Sequence, residues 1–369
     1  MKKKLGPKII LITFCVVLCL SWMFWFVLEK YVDTTNYENR EMAEFPSLSL
    51  ENYSTFSSDF ESWFNDNIPF RNNLITLNSA IDYYIFDKSS SDSVIKGKDG
   101  WLFYNKVADG DPMSCYYGTN LFSEDDLKQI ANNCIKQRDF LEQQGKEFVV
   151  MIAPNKERIY YEYMPEQYGS PAEEYRALQV YDYLKENTDI RVVYPYDELM
   201  RAKEVGDIYF KTDTHWNEIG GYVGASALLS ELGIEIPDIL SDEITIEKTA
   251  NTAGDLAKLL NLTNQLKSTD WNYSIGGYDN HQMEVIEQDF FNVYAYKATN
   301  ADSRKLYMIR DSFGSNISWY VGSQFNESYM RHYQTYKYDD LSSQDPDIVV
   351  YEVVERYVNR LGEFSIEDN

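Results

Sequence analysis

Asp213 and His215, two residues apart in Tyr209-Phe210-Lys211-Thr212-Asp213-Thr214-His215-Trp216-Asn217, are the side chains of this sequence best suited to acid–base chemistry. In extended backbone, residues i and i+2 leave the same face about 6.6 Å apart, near enough for a carboxylate to reach a ring nitrogen. Imidazole is scarce: His215, His281 and His332 are the three histidines. A carboxylate–imidazole pair can form the base half of a nucleophilic triad. The imidazole takes a hydroxyl proton during attack, and the carboxylate fixes its tautomer and stabilises its positive charge. Ser312, in Arg310-Asp311-Ser312-Phe313-Gly314, is the best nucleophile candidate. It follows the apolar run Leu306-Tyr307-Met308-Ile309, and the carboxyl end of a buried parallel strand lies on the rim where such sheets bind ligands. Plainer roles compete. Asp213 could cap the loop before the next helix, and Ser312 could cap the helix that follows it. His281 and His332 read as surface or packed core histidines. Neither Cys-x-x-Cys nor His-Glu-x-x-His spacing occurs, so no zinc site is expected. A metal held by Asp213 and His215 is a minor alternative. The sequence predicts no metal and no soluble cofactor.

The elements that would position these residues alternate in type. Ser123 is a candidate N-cap for a helix carrying Leu127, Ile130, Cys134 and Leu141, which Gly145 would end. Phe148-Val149-Val150-Met151-Ile152 has the continuous apolar character of a strand buried on both faces. A helix over 172–187, a strand Arg191–Tyr194, a helix over 196–204, a strand over 207–210 and a helix from Asn217 to Leu232 follow. Residues 241–300, polar and aromatic-rich, interrupt the rhythm as an insertion with β content. Ile348–Val353 is the last strand, followed by a terminal helix from Glu355 to Leu361. Strands separated by helices predict a mainly parallel sheet covered on both faces, a three-layer α/β/α sandwich. Upstream, apolar spacing in 56–64 and again from Leu74 to Ile85 predicts two amphipathic helices. Val94-Ile95 and Trp101-Leu102-Phe103 flank Gly97-Lys98-Asp99-Gly100 as a hairpin.

Four lysines precede an uncharged run from Ile9 to Leu28. Twenty helical residues span about 30 Å, the thickness of a bilayer's hydrocarbon core. No small-x-small cleavage site follows, which favours an uncleaved single-pass anchor over a signal peptide. The lysines place the N-terminus in the cytoplasm and the rest of the chain extracytoplasmically, at the cell membrane. The expected division is therefore 1–28 cytoplasmic tail and transmembrane anchor, 29–90 stem and helical segment, and 91–369 catalytic-type domain. The formal net charge of −25 excludes nucleic acid as a partner and argues against holding a polyanion by bulk electrostatics. Outside the anchor the cysteines are Cys115 and Cys134, and whether they form a disulfide is left open. The 31 tyrosines suit sugar stacking as well as core packing.

Several motifs together resemble one family. These are Asp213-Thr214-His215-Trp216, Arg310-Asp311-Ser312-Phe313-Gly314, Ala153-Pro154-Asn155-Lys156-Glu157-Arg158-Ile159-Tyr160 and Gly97-Lys98-Asp99-Gly100-Trp101-Leu102-Phe103-Tyr104. Asn65-Asp66-Asn67-Ile68-Pro69-Phe70-Arg71, Ala253-Gly254-Asp255-Leu256 and Val354-Glu355-Arg356 extend the pattern over about residues 38–361. The sequence resembles the AlgX/AlgJ-like polysaccharide O-acetyltransferases, SGNH-hydrolase-like proteins whose Firmicute relatives are called DHHW proteins. The resemblance implies an SGNH-like α/β/α sandwich with Asp-x-His before Ser. It implies Ser312 as nucleophile, His215 as general base and Asp213 as its orienting acid. It leaves the oxyanion donors open, with Asn155 and the backbone N–H of Ser312 as candidates. Lys156, Tyr160 and Arg310 are further candidates to line the site, against plainer readings of Lys156 as solvated and Tyr160 as packed. Two departures stand out: Arg310 occupies the place of the glycine in Gly-Asp-Ser, and Thr214 replaces the first histidine of the DHHW name. The implied activity is O-acetylation of a cell-surface or exported polysaccharide, with a membrane-bound O-acyltransferase as acyl donor. An acetylesterase using the same residues and a non-catalytic glycan-binding or secretion scaffold are the alternatives.

Overall fold

A computed structural model describes residues 5–28, 30, 41–47 and 52–367. The chain divides into two compact units, Met1–Ser91 with Lys258–Thr263, and Asp92–Ala257 with Asn264–Asn369. In the first, Leu5–Leu28 is helical. Several of its side chains lie outside the described residues, and among the described residues no helix is long and apolar enough to cross a membrane. The two expected amphipathic helices are present as Phe56–Asp66 and Arg71–Tyr84. Phe45 meets Trp63 edge-on at 4.9 Å and Phe60 at 6.1 Å, giving part of the first helix's aromatic face a partner.

The second unit contains the strands β1 (Val94–Lys96), β2 (Leu102–Tyr104), β3 (Glu147–Ala153), β4 (Arg191–Val193), β5 (Thr245–Thr252) and β6 (Asp270–Gly276). It continues with β7 (Glu284–Asp289), β8 (Val293–Lys297), β9 (Asp302–Arg310), β10 (Phe325–His332) and β11 (Ile348–Val354). Seven of them form the central sheet in the order β4-β3-β11-β9-β10-β8-β7. The pairs from β4 through β10 are parallel, whereas β10/β8 and β8/β7 are antiparallel. The sheet is therefore mixed at one edge. Both antiparallel strands come from the segment expected to be an insertion, so part of 241–300 extends the central sheet. Its other part, β5 and β6, makes a separate two-stranded ribbon.

Alternation along β3 feeds two cores. Val149, Met151 and Ala153 pack with Trp216, Phe313 and Ile317 beneath the helices Glu218–Glu231 and Gly314–Gly322. Phe148, Val150 and Ile152 pack with Ile130, Cys134, Val180 and Leu184 of the helices Glu124–Glu142 and Arg176–Asn187. Ser123 caps the first of these with a reciprocal capping box to Asp126, as its spacing predicts.

One expected strand is corrected, one strand is added and one open question is answered. The strand expected over 207–210 is one isolated bridge, Tyr209 to Trp216, closing a loop; Phe210 N–H donates to the His215 carbonyl and Asn217 N–H to the Ile208 carbonyl, while the Ile208 N–H and the Asp207 and Phe210 carbonyls are taken by the side chains of Tyr160, Asn217 and Lys156. β10 was not expected, because its mixed burial and charged residues lack the continuous apolar run of its neighbours. The disulfide left open between Cys115 and Cys134 is absent. Both are buried free thiols on different helices, and burial raises their pKa values to about 11 and about 12.

Candidate active site

The two halves of the site come from segments 97 residues apart that meet at the carboxyl-end rim of the sheet. The Asp213/His215 loop is not held by a ladder, so other groups fix it. Asp270 accepts the backbone N–H groups of Lys211 and Thr212 and the Thr212 hydroxyl. From below, the buried Lys156 ammonium donates to the carbonyls of Phe210, Lys211 and Asp213. Burial lowers the Lys156 pKa, partly offset by Glu157, Asp255, Asp270 and Asp213. Asn217 accepts from the N–H groups of Ile219 and Gly220 and so caps the following helix. Asp213 therefore caps no helix; it holds its own loop by accepting the His215 N–H and also meets the imidazole.

Ser312 sits on a turn pinned by Asp311, whose carboxylate accepts from the N–H groups of Phe313 and of Val354 at the end of β11. Ser312 does not cap the next helix either, since that helix has no side-chain cap. Two cross-links join turn and loop: Trp216 Nε1 donates to the Phe313 carbonyl at 3.0 Å, and Asn316 Nδ2 donates to the Trp216 carbonyl at 2.6 Å. Trp216 and Phe313 are fully buried and meet edge-on at 5.4 Å. Burying side chains of this size contributes about 1.5–3 kcal/mol each, so the contact that closes the site also belongs to the core. Behind them, Gly221 lets the two helices cross closely: a Cβ there would lie 2.4 Å from the Asn316 carbonyl oxygen.

These supports bring three side chains into line. His215 Nε2 is 2.8 Å from Ser312 Oγ, and His215 Nδ1 is 2.6 Å from Asp213 Oδ1. Asp213 Oδ1 also accepts the His215 backbone N–H, and Oδ2 accepts the Asp255 N–H at 2.9 Å. Burial alone would lower the imidazole pKa, but the charge and hydrogen bond of Asp213, with Asp255, raise it above its ordinary value; Arg356 opposes them. Asp213 shows the converse. Burial would raise it, yet His215 and the backbone donors bring it down to about 2. An ionised carboxylate, an imidazole of raised basicity and a hydroxyl in line can move a proton from Ser312 as its oxygen attacks a carbonyl.

The remaining sequence candidates separate. Asn155 is buried at the end of β3, where its N–H donates to Glu355. Among the described residues neither its Oδ1 nor its Nδ2 has a hydrogen-bond partner, so its buried amide is left unsatisfied. Lys156 braces the loop as described. Tyr160 is a packing residue whose hydroxyl accepts the Ile208 N–H and whose ring stacks on Trp101 at 3.9 Å. Arg310 is fully buried, donating to the carbonyls of Asp311 and Phe290 and to Ser315 Oγ, over the ring of Tyr294. Thr214 is not idle, because its hydroxyl donates to Asp255 Oδ2 at 2.6 Å and its N–H to Oδ1 at 2.8 Å. Asp255 and Arg356 belong to the site, though sequence reasoning quoted them without giving them roles. The only signal was their place in the family motifs. Asp213, His215 and Asp255 have potential metal-ligating atoms within 4.8 Å of one another. However, Nδ1 faces Asp213 and the oxygens of Asp213 and Asp255 already accept hydrogen bonds, so the group reads as an orienting network.

The profile of the SGNH hydrolase-like domain, acetyltransferase AlgX, matches residues 94–284, more than half of the chain. That stretch contains Asp213 and His215; Ser312 lies beyond it. The fold and matched domain define an enzyme of the SGNH-hydrolase type, an acyltransferase or esterase. The chain belongs to the SGNH hydrolase-like AlgX acetyltransferase family. It is 25% identical over 362 residues to the probable alginate O-acetylase AlgJ of Pseudomonas syringae pv. tomato, covering 86% of each chain. Two solved structures share the fold. A DHHW family protein from Eubacterium siraeum superposes with a TM-score of 0.54 at 16% identity, over 77% of this chain and 99% of that one. PatB1 from Bacillus cereus, with a sulfonyl adduct, gives 0.52 at 15% identity over 72% and 97%.

Proposed function

We propose that the protein is an extracytoplasmic O-acetyltransferase that modifies a cell-surface or exported polysaccharide. The observation that carries this reading is the unbroken hydrogen-bonded line from Ser312 through His215 to Asp213, in a chain of the AlgX acetyltransferase family. Ser312 Oγ attacks the donor's acyl carbonyl while His215 Nε2 takes the hydroxyl proton. The Asn155 amide and the Ser312 backbone N–H supply hydrogen bonds to the oxyanion. Collapse breaks the bond to the leaving group, which receives the proton from His215, and leaves an acyl-serine. A sugar hydroxyl then repeats the sequence in reverse, giving its proton to His215 and taking the acyl group.

In this reading residues 1–28 are the cytoplasmic tail and single-pass anchor, 29–90 a stem, and 91–369 the catalytic domain. A membrane-bound O-acyltransferase supplies the acyl group. The similar AlgJ of Pseudomonas syringae is named for alginate, a polyanion, but a net charge of −25 gives this chain no bulk attraction to such a polymer. The acceptor polysaccharide is therefore assigned here as a class. A sulfonyl fluoride is expected to label Ser312 in the native protein and not in His215→Ala. No labelling of a folded protein would leave the scaffold reading. Acetyl transfer to oligosaccharide exceeding acetate release supports the transferase, and acetate release alone would make the enzyme an esterase.

A further inference from the structure

Behind the proposed base lies a second carboxylate that a Ser-His-Asp mechanism does not require. Asp255 follows Gly254 at the start of a short helix, Asp255–Leu259, and its Oδ2 is 4.0 Å from His215 Nδ1. Both of its oxygens are taken by Thr214, Oδ1 by the backbone N–H and Oδ2 by the hydroxyl. Its own N–H holds Asp213 Oδ2. The Thr214 hydroxyl is 3.3 Å from His215 Nδ1, so it sits between the second carboxylate and the imidazole. Asp255 thus touches each neighbour of the base: Asp213 through its backbone, and Thr214 through its side chain.

We infer that Asp255 is a positioning residue for the base, clamping the Asp213-Thr214-His215 loop through Thr214 and adding a second negative charge behind the imidazole. This rests on the acyl-transfer reading above, which supplies the role of His215. The clamp gives the threonine in the Asp-Thr-His sequence a purpose: a hydroxyl can donate to Asp255, whereas the methyl of a valine cannot. The charge is the more consequential part. When His215 becomes an imidazolium during attack, Asp213 and Asp255 both stabilise it.

His215 is met by Asp213 and Asp255 from its own side and by Arg356 from the end of β11, which opposes them. Asp255 is met by Asp213, His215 and Lys156, and it also acts on Tyr104. Burial and Asp213 raise the Asp255 carboxyl above its ordinary value, with His215, the Thr214 hydrogen bond and Lys156 acting against them. Two donors on its oxygens favour the ionised form.

Charge and clamp separate by substitution. Asp255→Asn keeps the shape: its Oδ1 can accept the Thr214 N–H and its Nδ2 can donate to the Thr214 hydroxyl, leaving the charge as the main loss. Thr214→Val removes the hydroxyl and keeps the charge. The readout is the rate of sulfonyl fluoride labelling at Ser312 against pH, together with kcat and KM for an acetyl ester. In Asp255→Asn the ascending limb of labelling is expected to move to lower pH by about 1 unit, with the rate on the high-pH plateau reduced. In Thr214→Val the limb is expected to stay while kcat falls and KM does not. An Asp255→Asn protein with native labelling limb and kcat would overturn the inference, as would a limb shift as large in Thr214→Val as in Asp255→Asn. Failure of the wild-type protein to label at Ser312 would instead sink the triad itself, so the two failures are distinguishable.

Discussion

Gly254→Ala tests how tightly the catalytic carboxylate is held. A Cβ at 254 would lie 2.2 Å from Asp213 Cβ, 2.3 Å from its Oδ2 and 2.6 Å from its Cα. Carbon atoms in van der Waals contact sit about 3.5–4.0 Å apart, so either Asp213 or residue 254 must move by more than about 1 Å. Residue 254 is poorly placed to retreat. Its N–H donates to Thr212 Oγ, the next N–H donates to Asp213 Oδ2, and the two after that donate to the Thr212 carbonyl. Asp213 therefore takes much of the displacement, and with it the 2.6 Å bond that orients His215. Misplacement of a reacting group by about 1 Å costs roughly 10²-fold, and complete loss of the carboxylate's orienting effect costs about 10⁴-fold. The expected result is a kcat for acetate release from an activated ester lowered by about 10²- to 10⁴-fold, with KM little changed. Overpacking of about 1–3 kcal/mol should lower Tm by several degrees without unfolding the protein. A folded Gly254→Ala enzyme with kcat within about twofold of wild type would refute the argument, because it would mean that Asp213 tolerates the displacement.

Four further outcomes follow from the same geometry. Ser312→Ala should abolish acetate release while leaving Tm unchanged, since the Ser312 side chain caps no helix; a lowered Tm would show that it has a structural role. Asn155→Ala should cost about 10²- to 10³-fold in kcat with little loss in chemical denaturation, because its amide has no internal partner to lose; normal activity would remove it from the oxyanion site. The rate should rise with pH through a midpoint above 6.5, since His215 acts deprotonated and its pKa is raised, and Arg356→Gln should move that midpoint higher by removing an opposing cation; a lower midpoint in that variant would contradict the assigned charges. Lys156→Met should destabilise by about 2–4 kcal/mol in urea unfolding, since it strips the donor from the carbonyls of Phe210, Lys211 and Asp213; an unchanged midpoint would show that the loop does not depend on it.

Local sequence determined a good deal here. The apolar runs at β3, β9 and β11 announced buried parallel strands, because a strand covered on both faces has no solvent side to make polar. Ser123 and Asp126 marked a helix start through the hydrogen bonds their side chains can make to the first turn. Asp213 and His215 could be paired because their interaction depends on a separation of two residues. The structure decided whatever depends on distant segments. Ser312 meets His215 because Trp216 and Phe313 are buried together, with Trp216 bonded to the Phe313 carbonyl and Asn316 to the Trp216 carbonyl, and no periodicity in either segment encodes its partner. The same is true of Lys156, Tyr160 and Arg310, whose types suited a binding site but whose side chains are occupied in bracing loops and packing. Asp255 is the converse case. Its sequence shows only a carboxylate after a glycine, and its place behind the imidazole arises because Gly254 has no side chain to hold that backbone away from Asp213.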